Sequence, residues 1–390
     1  MAEKEKTVFQ NLIDYVDWRG DLSFEASGFN CVDALVFCQL SYLHFDSIVP
    51  PGFDDFISLK DTAQKFKDSS DFDKRKDLGM MINPKTSELL FKCAESVRFG
   101  GVLLCGFIDN YSKSREEQFA AVTFCFDEGK CGLLGKIKKA FVAFRGTDDT
   151  LIGWKEDFNL AFMESVPAQN DAAIYLKTLI NSKSFHKYEF YAGGHSKGGN
   201  LAIYAGAKQD EKTKEKIINI FNFDGPGFSE KDLASADFCS VKQKIISVFP
   251  QMSLIGMLFH HYEGCKVVES SEKLVMQHDP FSWNVRGHNF VEKDALENGS
   301  EIFFKSFNKW FEKLEKSQRE NFVETVFGLV ESTEATTNTE LSRNFLKNAG
   351  TILKAAVKLD SSIRDDALKI ISQFLKITGS EIKDLIFAKS

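Results

Sequence analysis

The sequence predicts an α/β fold in which a doubly wound, mostly parallel sheet is flanked by helices. Strand-like apolar runs alternate with helical patterns between residue 100 and about residue 294. A short apolar run at 190–192 leads into Gly194-His195-Ser196-Lys197-Gly198, and small and apolar residues at helical spacing follow. These two observations predict a strand, a sharp turn and a helix over 189–207, around which the rest of the fold is organised.

Helical patterns precede the sheet. Apolar spacing predicts helices over about 30–42 and 86–97, and the charge-rich residues 60–85 predict solvated helix or loop. Gly100 and Gly101 then break the helical pattern. We therefore assign residues 1–99 to an N-terminal helical segment and residues 100–294 to the core of the same domain.

The predicted strands are short apolar runs bounded by turn residues. In chain order they span 102–108, 119–126, 138–145, 190–192, 217–223, 244–249 and 266–269. The turn residues between the first three strands indicate that two of them pair as a hairpin. Helical patterns lie on both sides of the strand at 190–192, as crossover connections between parallel strands require.

From about residue 295 the chain is predicted to be helical to its end, with a Thr-rich polar break at 331–340. Its apolar residues form two helical stripes, which are typical of packing faces. Residues 295–390 are therefore expected to form a helical extension, which is either an appendage on the main domain or a module that binds a partner.

Composition narrows the class of protein. A net charge of −7 argues against nucleic acid as a partner. The N-terminus has no apolar signal region, and the apolar stretch 245–259 is broken by Pro250 and is shorter than the roughly 20 residues of a spanning helix. We expect a cytoplasmic protein whose membrane contact, if any, is peripheral. Its oligomeric state is left open.

The cysteines lie singly along the chain. None of the eight forms a Cys-x-x-Cys pair or a Cys/His cluster with metal-ligand spacing. Most are expected to be reduced thiols in the core. The cysteines therefore indicate no metal site, and the serine-based reaction considered below needs neither a metal nor an organic cofactor.

Ser196 is the candidate nucleophile. In a G-x-S-x-G turn between a strand and a helix, the flanking glycines allow a strained serine backbone that exposes the hydroxyl at the sheet edge. The same turn leaves the backbone N–H of Lys197 at a helix N-terminus, where it suits a developing oxyanion. The alternative is a glycine-rich structural turn.

Asp224 is the candidate acid. It follows the predicted strand 217–223 and opens the turn Gly225-Pro226-Gly227, which places a carboxylate at the carboxyl edge beside the serine. The alternative is an aspartate that caps its own turn.

His278 is the candidate general base. It lies downstream of the serine and the acid, in a loop after the last predicted strand. His260, His261 and His288 also follow the serine and stay as alternatives, although the first two end an apolar segment and can simply cap a helix.

Thr147 is the candidate oxyanion residue. The strand 138–145 ends in Gly146-Thr147, and the threonine can donate both its backbone N–H and its hydroxyl. The alternative is a turn in which Thr147 caps a helix beginning near Thr150.

Two sets of motifs resemble known families. Residues 144–147, Trp154, Asp157 and 194–199 resemble the class 3 lipases, which are α/β-hydrolases, over about residues 100–290. The whole chain more closely resembles a bacterial lipase-like family of uncharacterised function, the Mbeg-like proteins. The matching segments are 17–24, 194–200, 223–228, 250–253 and 277–283.

The resemblance to class 3 lipases implies that Ser196 is the nucleophile, Thr147 an oxyanion residue and His278 the base. The acid departs from that pattern, because no aspartate follows the strand 244–249, and Asp224 instead resembles the acid of pancreatic-type lipases. Lys197 stands where class 3 lipases usually carry a hydrophobic residue. It either favours an anionic group of the substrate or is a solvated lysine.

We therefore expect a serine hydrolase that cleaves a carboxylic ester, of the lipase, esterase or phospholipase kind, through an acyl-enzyme. Its substrate would be a small-molecule or lipid ester, and residues 245–259 would line an acyl groove, act as a lid or belong to the core. The alternatives are a catalytically inactive scaffold that binds a partner and an acyltransferase, since fold alone does not decide function.

Overall fold

A computed structural model describes most of residues 10–296 and a few positions beyond them. The residues left undescribed within that range are 80, 131–135, 149, 151–152, 154, 157–158, 161–162, 164, 254 and 263. Beyond it, residues 315, 317, 319, 320, 324 and 325 are described. The predicted helical extension therefore lies almost entirely outside the described residues, as do Trp154 and Asp157.

The centre of the described chain is one mixed sheet. Its strands are β1 (Ile57–Ser58), β2 (Leu103–Ser112), β3 (Glu117–Lys130), β4 (Lys136–Phe144), β5 (Tyr188–His195), β6 (Ile217–Phe223), β7 (Ile245–Pro250), β8 (Lys266–Val268) and β11 (Glu292–Lys293). They lie in the order β1-β2-β3-β4-β5-β6-β7-β8-β11. A small hairpin of β9 (Val285–Arg286) and β10 (Asn289–Phe290) lies outside this sheet.

Strands β4 to β8 are parallel, and strands β1 to β4 pair antiparallel. The predicted hairpin is found, and it belongs to a meander, because β3 pairs with both β2 and β4. Phe124 of β3 lies opposite Leu104 on one side and Phe141 on the other. The predicted α/β-hydrolase fold, with a sheet between helices, is confirmed, and among the described strands four of the eight pairings in that sheet are parallel and four are antiparallel.

The helices lie before and between the strands. They are α1 (Leu12–Arg19), α2 (Cys31–Leu40), α3 (Leu59–Asp68), α4 (Phe72–Arg75), α5 (Lys85–Glu95), α6 (Pro167–Asn181), α7 (Lys197–Ala207), α8 (Glu211–Lys216), α9 (Glu230–Leu233) and α10 (Ala236–Val241). The helices predicted from apolar spacing before the sheet correspond to α2 and α5. Within the described range, none of the helices combines the length and apolar character needed to cross a bilayer.

The two faces of the sheet are covered by different parts of the chain. Along β4, Phe141 and Ala143 face the core beneath α1, α2 and α5, while Val142 and Phe144 face the core beneath α6 and α7. Because the parallel strands follow one another in chain order, the crossover helices α6 and α7 share one face, so the sheet is not doubly wound as the sequence predicted. The N-terminal helices are thus needed to bury the other face.

A buried ion pair joins the N-terminal helices to the loop that follows α1. Arg98 donates to both carboxylate oxygens of Asp33, at 2.7 and 2.5 Å, and Tyr15 donates its hydroxyl to the same carboxylate at 2.8 Å. The guanidinium also donates to backbone carbonyl oxygens within 22–28. Both charged side chains are fully buried. The motif at 17–24 therefore leads into a loop that wraps an arginine.

Candidate active site

Ser196 occupies the sharp turn between β5 and α7. Its backbone has φ +57°, and its N–H donates to the carbonyl oxygen of Phe223 at 2.9 Å. A Cβ at Gly194 would lie 2.1 Å from the carbonyl carbon of Gly198, so the turn requires glycine there. The predicted strand, turn and helix are present, and the serine is held in a conformation that non-glycine residues rarely adopt.

The end of β4 packs directly against this turn. A Cβ at Gly198 would lie 2.1 Å from the carbonyl oxygen of Phe144, and a Cβ at Gly146 would lie 3.1 Å from the Cβ of Ser196. Thr147 follows immediately and is buried. The structure thus brings Gly146, the residue before the predicted oxyanion residue Thr147, next to the serine.

Asp224 follows β6 and is fully buried, with φ +50°. The next residue, Gly225, touches the serine turn, because a Cβ there would lie 2.4 Å from the carbonyl oxygen of Ser196. From α7, Asn200 donates to the carbonyl oxygens of Pro226 and Gly227 at 3.2 and 2.9 Å. The turn that carries the acid is therefore attached to the helix that follows the serine.

Asp224 divides its two oxygens between two sets of donors. Oδ2 lies 2.5 Å from Nδ1 of His278, while Oδ1 accepts from the hydroxyl of Ser253 and, at 3.2 Å, from the N–H of Gly256. Both donors to Oδ1 belong to the segment after β7. The carboxylate is thus fixed by the segment in which the class 3 lipase pattern would place an acid, and it turns its other oxygen to the histidine.

The loop that carries His278 is held on both sides. The buried side chain of Gln277 accepts from the N–H of Met252 at 2.7 Å, and Trp283 donates its indole N–H to the Gln277 carbonyl oxygen at 2.7 Å. Asn83 donates to Asp279 Oδ2 at 2.6 Å. Asp279 also accepts from the N–H of Phe281 at 3.0 Å, so both of its oxygens are used within the loop and by Asn83.

The other candidate histidines are placed elsewhere. His288 is exposed on the turn between β9 and β10, and His260 lies 3.9 Å from Glu230. His261 packs edge-on against Phe249 at a ring-centroid distance of 5.0 Å, and burial lowers its pKa to about 4. Of the four histidines considered, His278 is the one that the structure places on Asp224.

The prediction that Lys197 is solvated is wrong. Its side chain is fully buried, and its ammonium donates to Glu156 Oε2 at 2.9 Å and to the carbonyl and side-chain oxygens of Gln118 at 2.9 and 3.0 Å. Glu156 also accepts from the N–H of Ala168, at 3.0 Å, in the first turn of α6. The cation is therefore turned into the protein, which also removes it as a contact for an anionic substrate.

The sequence did not identify Glu156 or Gln118. A lysine between the glycines of a packed turn either reaches solvent or, if buried, needs an acceptor for its charge. The sequence could therefore have predicted a carboxylate partner for Lys197, but not which of the many carboxylates it is.

One group of His and Asp side chains lies near the end of β4. Single ligand atoms of His44, Asp46 and Asp109 lie within 4.8 Å of one another. Arg145 already donates to both oxygens of Asp109, at 2.8 and 2.5 Å. Although burial alone would raise it, the charges of Arg145 and His44 lower the pKa of Asp109 to about 2. The chain thus supplies its own cation here.

Glu117, the residue before Gln118, predicts a pH dependence of the stability of the fold. Burial, reinforced by Asp171, raises the pKa of Glu117 to about 7. A carboxyl whose pKa is raised on folding binds its proton more tightly when folded, so its contribution to stability is complete below the unfolded pKa of about 4.3 and is lost as the pH rises through 7. Glu117→Gln, which mimics the protonated form, is therefore expected to lose less thermal stability than the wild type between pH 5 and pH 8.

Melting temperatures at the two pH values check this expectation. Glu215→Gln, at an exposed position, is the control and should follow the wild type. An identical change in melting temperature for Glu117→Gln and the wild type would contradict it.

Sequence and structure both relate this chain to known proteins. A family model described as Mbeg1-like matches residues 93–328, which is more than half of the chain. Comparison with curated proteins gives no match. Among solved structures, the crystal structure of M37 lipase is similar, with 16% sequence identity and a TM-score of 0.31 over 58% of this chain and 68% of that chain.

Proposed function

The chain belongs to the Mbeg1-like family, and from that premise we propose that it is a serine hydrolase that cleaves carboxylic esters. One observation carries the proposal. The buried Asp224 holds His278 at 2.5 Å at the same sheet edge as Ser196, whose backbone is strained at φ +57°. A strained serine in a strand-to-helix turn, with a histidine that a buried carboxylate orients, is the arrangement that activates a serine hydroxyl.

The hydrogen bond to Asp224 sets the tautomer of His278. Because the carboxylate accepts at Nδ1, the neutral imidazole carries its proton there and leaves Nε2 free to accept one. In the proposed reaction, Nε2 takes the Ser196 proton as Oγ attacks the ester carbonyl carbon. His278 then returns that proton to the leaving alcohol, and a water molecule releases the acyl group by the same steps.

Backbone N–H groups are the proposed donors to the oxyanion. The N–H of Lys197 lies at the N-terminus of α7, and Thr147 follows Gly146, which lies against the serine turn. Donors fixed by packed elements require no reorganisation as charge develops on the carbonyl oxygen. Since the ammonium of Lys197 is bonded to Glu156, only its backbone is assigned this role.

Hydrolysis of p-nitrophenyl esters of graded acyl length, together with labelling by a fluorophosphonate, tests the proposal. The wild type is expected to turn over at least one ester and to carry the label on the peptide that contains Ser196. Ser196→Ala should lose both properties. Ser240→Ala, which changes an exposed serine in α10, should keep both.

The two alternatives give different results in the same assay. An inactive scaffold predicts a folded protein that hydrolyses none of the esters and leaves Ser196 unlabelled, and that outcome would overturn the proposal. An acyltransferase predicts that added alcohols divert the product from the free acid to a new ester, which product analysis detects.

A further inference from the structure

His195, the residue before the candidate nucleophile, lies directly against the candidate base. The centroids of the His195 and His278 rings are 4.4 Å apart, with 36° between their planes. Nε2 of His195 lies 2.8 Å from the backbone carbonyl oxygen of His278. His195 is buried. A single side chain thus links the serine turn to the loop of the base across 83 residues of sequence.

The two partners of the His195 ring fix its tautomer. A carbonyl oxygen only accepts, so Nε2 carries the proton and donates to His278. Nδ1 must then accept, and the hydroxyl of Tyr42 lies 3.2 Å from it. Burial, followed by the neighbouring His278, lowers the pKa of His195 well below its usual range, so the ring stays neutral.

Tyr42 reaches this ring through space that a glycine leaves open. A Cβ at position 146 would lie 2.2 Å from the Tyr42 hydroxyl oxygen and 2.5 Å from the carbonyl oxygen of His195. Tyr42 lies in the segment after α2, on the face of the sheet that the N-terminal helices cover. The N-terminal helical segment therefore contributes a group to the surroundings of the candidate site, although the resemblance to class 3 lipases begins only near residue 100.

We propose that His195, locked by Tyr42 in the Nε2-protonated tautomer, is a positioning residue that holds His278 in register with Ser196. This inference rests on the proposed function. The Nε2–H of His195 holds the backbone carbonyl of His278, and Asp224 holds the imidazole ring. Both the backbone and the side chain of the base are therefore fixed. A neutral ring at this place also spares the imidazolium that forms during the reaction from a second positive charge at 4.4 Å.

The test compares His195→Phe, which keeps an aromatic ring but removes the donor, with His195→Gln, whose terminal amide N–H reaches as far as Nε2. Tyr42→Phe removes only the hydroxyl. Because displacing a reacting group by about 1 Å costs roughly 10²-fold in rate, His195→Phe is expected to lower kcat by about that factor with KM unchanged. His195→Gln should recover most of kcat, and Tyr42→Phe should lose less than His195→Phe.

Two further measurements separate positioning from packing. In the His195→Phe background, Tyr42→Phe should cause no additional loss of kcat, because the ring nitrogen through which Tyr42 is proposed to act is already absent. The rate of Ser196 labelling by a fluorophosphonate should fall in parallel with kcat. Thermal melts accompany each variant, and if His195→Phe does not fold, the conservative variants Tyr42→Phe and His195→Gln still decide the question.

Wild-type kcat in a folded His195→Phe variant, or in Tyr42→Phe with equal labelling rates, would overturn the positioning role and leave the proposed function intact. Equal losses in His195→Gln and His195→Phe would overturn it as well, since the donor would then be irrelevant. A wild-type chain that neither hydrolyses esters nor labels at Ser196 would overturn the proposed function, and the positioning role with it.

Discussion

Asp224→Asn is expected to lower kcat for ester hydrolysis by about 10⁴-fold, the loss that the same change produces in a Ser-His-Asp protease. The direction of the amide explains the size of the effect. Ser253 and Gly256 both donate to Oδ1, so the asparagine is expected to keep its oxygen on that side and to turn its NH₂ toward His278. His278 Nδ1 must then accept, which moves its proton to Nε2, where the serine proton has to go.

Steady-state kinetics on the best p-nitrophenyl ester measures this loss. Asp279→Asn is the matched control, because it changes a neighbouring carboxylate that accepts from Asn83 and from the N–H of Phe281. It should keep most of the activity. Equal losses in the two variants would argue against Asp224 as the acid, and a normal melting temperature for Asp224→Asn is needed to attribute its loss to chemistry.

Lys197→Met is expected to destabilise the fold by about 3 to 5 kcal/mol, because it leaves the charge of Glu156 buried without its partner. The double variant Lys197→Met, Glu156→Gln removes both charges and should recover much of that stability. It should also keep kcat, because the proposal assigns the backbone N–H of Lys197 to the oxyanion and its ammonium to Glu156. Urea unfolding and ester kinetics check the two parts.

Lys208→Met is the control for stability. Lys208 follows the same helix and pairs with Asp237 at 3.0 Å, but both side chains are substantially exposed. Exposed pairs contribute about 0 to 1 kcal/mol, so this variant should remain close to the wild type. A strong loss of kcat in a stable double variant would instead indicate that the ammonium of Lys197 acts on the substrate.

The sequence predicted the parts of this molecule that depend on short stretches of chain. Glycines on both sides of Ser196 indicate the strained turn, and a carboxylate at the end of a strand next to that turn must lie at the same sheet edge. For those reasons Ser196 and Asp224 could be placed before the structure was known. His278 could be chosen because it lies in the loop directly after the last predicted strand, 266–269.

Contacts between distant segments were beyond the sequence. Glu156 accepts from Lys197, 41 residues later in the sequence. It lies in a stretch without a strand pattern, so its position relative to the sheet could not be predicted. Nothing in the sequence distinguishes Ser253 from other polar residues, although its hydroxyl donates to Asp224 in the structure. The edge strands β1 and β11 have two residues each, too few for any periodicity. The role of the N-terminal helices in covering one whole face depends on strand order, which local patterns do not contain.

The backbone of Ser196 has an evolutionary consequence. A non-glycine residue in such a conformation costs of order 1 to 3 kcal/mol, and glycine at that position would relieve much of that cost. Selection for a durable fold alone would therefore favour glycine over serine at position 196. A lineage that kept only a scaffold would be expected to drift toward that more stable sequence. If Ser196 is the proposed nucleophile, its hydroxyl is kept for catalysis at a cost in stability.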